Sequence, residues 1–258
     1  MTGIFDSGVG GLSAMKAARA MMPRCDIVYL GDTARVPYGT RSNAQIKKYI
    51  AEDIAFLEKS GADAVLIACA TASSVYISEK MQFDIPVTEV ITPSALLAAA
   101  ATKNGRVGII GTTATVENRA FENKLRQISD KIVTTAVPCP LFVPLVENGL
   151  TDESDPVPNE IARRYLAPFI TFGCDTLILG CTHFPLLSGV ISKQLPGVTL
   201  INSGEAGASA LFRALSRKSR SGSGSIRYCV SDAPDKFSVT ASRILGEKIE
   251  AEEVEIGR

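Results

Sequence analysis

The 258-residue sequence has one histidine, His183, no Cys-x-x-Cys pair and no net charge, 27 Lys and Arg balancing 27 Asp and Glu. A single imidazole excludes a multi-histidine metal site, and without the Cys-x-x-Cys spacing there is no zinc knuckle, so no metal is expected. Balanced charge argues against a surface built to grip nucleic acid. The longest apolar stretches, such as Ala95 to Ala101, fall well short of the roughly 18 residues that suggest a membrane span. The N-terminus, MTGIFDSGVGG, has no basic segment followed by a long apolar region. No secretory signal is expected, and the cytoplasm is the expected compartment.

What is present is apolar: 46% hydrophobic against 21% charged residues can bury a substantial core, as one large domain or two smaller ones. The six cysteines, Cys25, Cys69, Cys139, Cys174, Cys181 and Cys229, read as free thiols, because a cytoplasmic chain of this size needs no disulfide framework.

Short runs rich in Val, Ile and Leu alternate with longer helical patterns. Strands are expected at Ile27 to Leu30, Ala64 to Ala68, Val107 to Ile110 and Leu177 to Leu179. Helices are expected at Leu12 to Met22, Arg41 to Ser60, Val116 to Ser129 and Glu160 to Phe172. That rhythm predicts βαβ units and parallel sheets covered by helices. Thr151 to Asn159 reads as a loop, and the basic Ser216 to Ser225 as a flexible polar connection, a solvated loop rather than a nucleic-acid patch.

The most informative feature is internal. GADAVLIACAT at Gly61 to Thr71 aligns without a gap on GCDTLILGCTH at Gly173 to His183, with glycine, aspartate and cysteine coinciding. A weaker echo sets Ile4 to Ser7 (IFDS) beside Ile109 to Thr112 (IIGT). Two similar α/β halves follow from this duplication.

Ligands of open α/β sheets sit beyond the carboxyl ends of the strands, which is where Cys69 and Cys181 fall. If the halves face one another, two thiols flank one cleft. Inverting a carbon requires removing a proton from one face and delivering one to the other. Thiols suit this, since an unperturbed pKa near 8.5 lets thiol and thiolate coexist, and a helix N-terminus favours the thiolate. Both cysteines could instead be core thiols, as Cys25, Cys139, Cys174 and Cys229 are read to be.

DSGVGG at Asp6 to Gly11 lets backbone approach a ligand at a helix N-terminus. It also half-matches a dinucleotide fingerprint, with Asp32 after a second strand, but Ser13 stands where the third glycine belongs. Tyr38 offers a ring and a hydroxyl beside Gly39 in a loop, and His183, two residues after Cys181, is either a general acid or a structural histidine.

Taken together, FDSGVGGLS, GDTARVPYGTRS, IACATASS, VGIIGTTATV, LFVPLVENG, LGCTHFPLL and YCVSD resemble, in order and over almost the whole chain, the glutamate racemase family. The resemblance implies two pseudo-symmetric flavodoxin-like domains with mostly parallel sheets and the active site in the cleft between them. It implies an N-terminal domain of residues 1–92 completed by 206–258, and a second domain of 93–205. It implies L- and D-glutamate exchange for peptidoglycan synthesis without pyridoxal phosphate or another cofactor, and is compatible with a homodimer. Cys69 and Cys181 correspond to the catalytic cysteines, assisted by Asp6, Glu147 and His183. Asp6, Ser7, Tyr38, Gly39, Ala70, Thr71, Thr182 and His183 correspond to the substrate-binding positions.

Two positions depart from the family pattern. Ala70 stands where an asparagine is usual, removing a side-chain amide expected to hold the substrate, and Thr92 replaces a common glutamate. The rival readings are therefore an aspartate or other amino-acid racemase, or a weakened glutamate-binding relative.

Overall fold

A computed structural model describes residues 1–215 and 221–257. The chain divides into two compact units, Met1–Val90 with Gly204–Arg258, and Ile91–Ser203. Each is an all-parallel sheet covered by helices.

The first unit holds strands β1 (Thr2–Asp6), β2 (Ile27–Gly31), β3 (Val65–Ile67) and β4 (Val87–Glu89). The second holds β5 (Arg106–Gly111), β6 (Val133–Pro138), β7 (Thr176–Gly180) and β8 (Thr199–Asn202). The chain then returns to the first unit with β9 (Ile226–Val230) and β10 (Ala251–Glu253). The sheet orders are β10-β9-β2-β1-β3-β4 and β6-β5-β7-β8. β1, β2 and β7 are buried along their whole length, which is why their sequences are near-continuous apolar runs.

The duplication read from sequence is a duplication of pairing. In the first sheet Ile4 faces Leu66 and Phe5 faces Ile67; in the second Ile109 faces Ile178 and Ile110 faces Leu179. These are the residues that the two sequence alignments make equivalent. In both sheets the first strand of the unit lies between the second and the third, so the strand order reverses at the β1/β3 and β5/β7 boundaries. Crevices at such reversals are where open α/β sheets bind ligands.

The four expected strands and three of the expected helices form, the latter as Leu12–Met21, Asn43–Lys59 and Pro156–Phe172. Asn43–Lys59 starts with Ser42 accepting from the Gln45 N–H and buries Ile46, Ile50, Ile54 and Leu57 on one face. Two expectations need correction. Val116 to Ser129 is not one helix: it breaks at Asn118 and Arg119, between Thr113–Glu117 and Ala120–Ile128, because Arg119 takes a left-handed φ of 51°. The loop beginning at Thr151 ends at Asp155, not at Asn159. Asp155 caps the following helix by accepting from the Val157 N–H, and Pro156 at the first helical position needs no N–H donor.

The expected connection Ser216 to Ser225 lies partly outside the described residues. Its described end is fastened: Asp26 Oδ1 accepts from the N–H and hydroxyl of both Ser223 and Ser225. Among the described residues no helix is long and apolar enough to cross a membrane.

Candidate active site

In the first unit, Asp6 ends β1 and Cys69 follows β3. Asp6 is buried, and its Oδ2 accepts from the Gly8 N–H at 3.0 Å. The Tyr29 hydroxyl donates to the Gly8 carbonyl at 2.6 Å, fixing the turn from the other side. Burial, then the charges of Asp6 and Cys69, push the Tyr29 phenol well above its ordinary range, so it stays a donor. Gly11 closes this turn for a steric reason: a Cβ there would come 2.4 Å from Asp6 Cβ and 2.8 Å from the Tyr29 hydroxyl oxygen.

Cys69 Sγ lies 3.9 Å from Ser7 Oγ, and the thiol is 6% exposed. Cys69 is also the N-cap residue of the helix Ala70–Ser78, where the partial positive charge of a helix N-terminus favours negative charge. Ala70 and Thr71 form the first turn of that helix and are buried. Ser73 tethers the helix to its strand by donating from its hydroxyl to the Ile67 carbonyl at 3.2 Å.

In the second unit the equivalent cysteine has different surroundings. Cys181 follows β7 and is succeeded by a turn and a short 3-10 helix, Phe184–Leu187, rather than by an α-helix N-terminus. An imidazole stands beside it instead: His183 Nδ1 is 3.8 Å from Cys181 Sγ, and His183 Nε2 is 3.2 Å from Glu147 Oε1. Cys181, Thr182 and His183 are buried, whereas Glu147 is exposed. The chain Glu147, His183, Cys181 can hold or move a proton at the sulfur, the carboxylate orienting the ring through its far nitrogen. Gly180, immediately before Cys181, has no room for a side chain, since a Cβ would sit 2.7 Å from the Ile110 carbonyl oxygen and 2.8 Å from the Phe121 ring.

The other four cysteines are free, buried thiols with local partners. Cys25 donates to Thr2 Oγ1, Cys139 to the Val137 carbonyl and Cys229 to Glu252 Oε1. Burial, then the neighbouring Cys181, pushes the Cys139 thiol up; burial, with the Glu252 hydrogen bond, pushes Cys229 up to about 12.

Each unit therefore gathers its own share of the expected site: Asp6, Ser7, Cys69, Ala70 and Thr71 in one, Glu147, Cys181, Thr182 and His183 in the other. Tyr38 is placed differently from the sequence reading. Its hydroxyl is buried and bonded to the carboxyl groups of Asp32 and Asp53, so its side chain offers no exposed donor, while Gly39 beside it is partly exposed. Asp32, the acidic residue of the incomplete dinucleotide fingerprint, is wholly buried in the same network. Thr112 follows β5 as Ser7 follows β1 and caps the helix Thr113–Glu117 by accepting from the Thr115 N–H. The IFDS and IIGT echo was the signal for it. Among the described residues no group of three or more His, Cys, Asp and Glu side chains is placed to hold a metal ion.

The family model Asp/Glu/Hydantoin racemase matches residues 13–211. A glutamate racemase of Persephonella marina is 42% identical, with 99% of this chain and 97% of the relative covered. The crystal structure of a glutamate racemase from Bacillus anthracis superposes with a TM-score of 0.92 at 33% identity, covering 99% of this chain and 97% of the other. The glutamate racemase of Francisella tularensis, solved in complex with D-glutamate, does so with a TM-score of 0.89 at 34% identity, covering 98% and 97%. This chain belongs to the Asp/Glu/Hydantoin racemase family and is an amino-acid racemase, an isomerase.

Proposed function

We propose that the chain is a glutamate racemase that exchanges L- and D-glutamate by cofactor-independent 1,1-proton transfer between Cys69 and Cys181. One sulfur begins as thiolate and takes the α-proton, forming its S–H bond as the Cα–H bond breaks, and the electron pair stays on Cα, delocalised into the adjacent carboxylate. The other cysteine, a thiol, gives its proton to the opposite face of Cα and is left as thiolate. The reverse reaction starts from the swapped protonation states, so each thiol is base for one enantiomer and acid for the other.

The observation that supports this reading most strongly is the register equivalence: Cys69 and Cys181 follow strands paired in the same order and with equivalent positions facing one another. The complex of a relative with D-glutamate supports the choice of substrate. Asp6 assists at Cys69, and Glu147 and His183 assist at Cys181. Ser7, Thr71, Thr182 and the backbone at Tyr38, Gly39 and Ala70 orient the substrate, with Thr112 as the counterpart of Ser7. The product serves peptidoglycan synthesis in the cytoplasm.

The test is polarimetric. L-Glutamate incubated with the purified protein and no added cofactor should lose its optical rotation completely, and D-glutamate likewise. Rotation that persists, or that decays for aspartate and not for glutamate, would overturn the reading.

A further inference from the structure

The first unit contains a buried cluster whose hydrogen count does not close if every carboxyl group in it is ionised. Tyr38 Oη is within hydrogen-bonding reach of two carboxyl oxygens, Asp32 Oδ2 and, at 2.8 Å, Asp53 Oδ2. A phenol has one proton and can donate to only one of them. Burial, then Asp53 and Asp32, hold the Tyr38 phenol well above its ordinary range, so that proton is not lost. The second short contact requires that one carboxyl group be the donor.

The remaining partners say which. Asp32 has a donor at each oxygen: Arg35 Nε donates to Oδ2 at 2.6 Å and the Ser231 hydroxyl to Oδ1 at 2.9 Å. Asp53 Oδ1 accepts from Arg35 Nη2 at 2.6 Å, while its Oδ2 meets only the Tyr38 oxygen among these donors. The proton that closes the count therefore sits on Asp53 Oδ2, with Tyr38 passing its own proton on to Asp32. Charge agrees with this assignment. One guanidinium, Arg35, serves three carboxyl groups, Asp32, Asp53 and Glu52, and both aspartates are wholly buried.

We propose that Asp53 is a neutral carboxylic acid in the folded protein, donating to Tyr38, and that it is a positioning residue which, together with Asp32, holds the Tyr38 side chain and through it the Tyr38–Gly39 backbone. The positioning half rests on the substrate-binding role proposed above for that backbone; the protonation half does not. Burial and the charges of Asp32 and Glu52 raise the Asp53 carboxyl well above its ordinary range, against Arg35 and Tyr38. From helix Asn43–Lys59, Lys48 faces Glu52 at 3.7 Å, and the Tyr49 ring stacks on the Arg35 guanidinium at 4.2 Å. From the C-terminal segment, Glu253 and Glu255 line the depression over Arg35 and add negative charge on that side. Ser231, past the end of β9, carries no charge.

Asparagine imitates a protonated aspartate, its amide donating where the acid O–H did while its carbonyl accepts from Arg35. Asp53→Asn should therefore keep the KM for glutamate within about threefold of the parental value, and Asp53→Ala should raise KM by about tenfold or more with a smaller effect on kcat. An Asp53→Asn variant as impaired as Asp53→Ala would overturn the proposal. The protonation state is read separately, without activity, by infrared spectroscopy at about pH 8, where an ordinary aspartate is ionised. A protonated-carboxyl C=O band should be present in the parental protein and absent from Asp53→Asn. An unchanged spectrum in that region would contradict a neutral Asp53 even if Asp53→Ala fails to fold. A parental protein that shows the band but does not racemise glutamate would refute the functional reading and leave the protonation assignment standing.

Discussion

Cys181 Sγ and His183 Nδ1 are 3.8 Å apart, whereas the equivalent sulfur, Cys69 Sγ, has the Ser7 hydroxyl at 3.9 Å. Two halves with one strand register thus carry two different acid–base environments. One sulfur sits at a helix N-terminus beside a hydroxyl, and the other sits beside an imidazole that a carboxylate orients.

That difference predicts an asymmetric effect of His183→Gln. Because the two enantiomers of glutamate have equal free energy, kcat/KM must stay equal in the two directions whatever is mutated. The asymmetry appears in isotope effects. Weakening the environment of Cys181 alone makes its proton transfer more rate-limiting, so the effect of deuterium at Cα of the substrate should rise in one direction only. kcat should fall by about 100-fold, the lower end of what a positioned acid–base group contributes. Equal changes of the isotope effect in both directions would contradict the assignment.

Ala70 is buried in the first turn of the helix that Cys69 caps, at the position where the family resemblance implies an asparagine. A hydrogen bond to a charged group is worth about 1.5–3 kcal/mol. Ala70→Asn should accordingly tighten glutamate by about 10-fold or more, seen as a lower KM in steady-state kinetics. An unchanged KM and rate would mean that the missing amide has no functional consequence here.

The duplicated aspartates predict a pH dependence of stability. Asp175 accepts from the Thr102 hydroxyl and from the N–H groups of Lys103 and Asn104. Burial opposes them, but these hydrogen bonds win and lower its carboxyl to about 2. A depressed carboxyl stabilises the fold above its unfolded value near 3.9, and this contribution is lost as pH falls from about 4 through about 2. Asp175→Asn should lower Tm at neutral pH by a few degrees. The gap to the parental protein should close between about pH 4 and pH 2. A gap that persists there would show that Asp175 acts through packing instead.

The sequence made the duplicated strands legible because parallel strands buried on both faces must be apolar throughout, and repetition of Gly, Asp and Cys marked their ends. β10 was not legible: AEE is a half-exposed edge strand with no apolar run to mark it. The break at Arg119 was hidden because apolar periodicity continues across a residue that switches to a left-handed conformation. The Asp53 network was hidden for another reason. Helical spacing puts Asp53 on the buried face with Ile46, Ile50 and Leu57, which marks a buried acid but not its partners, and only tertiary folding brings Arg35 and Tyr38 against it. The inward turn of the Tyr38 hydroxyl to the carboxyl groups of Asp32 and Asp53 was likewise not legible from side-chain type.

The central claim is that two sulfurs act on one carbon, each as base for one enantiomer. The most direct measurement is to make Cys69→Ala and Cys181→Ala separately, incubate each with L- and with D-glutamate in deuterium oxide, and follow both enantiomer composition and deuterium at Cα. Each variant should lose interconversion by about 10²- to 10⁴-fold or more, while the parental protein delivers product labelled at Cα. Parental interconversion with parental deuterium uptake in either variant would contradict the account.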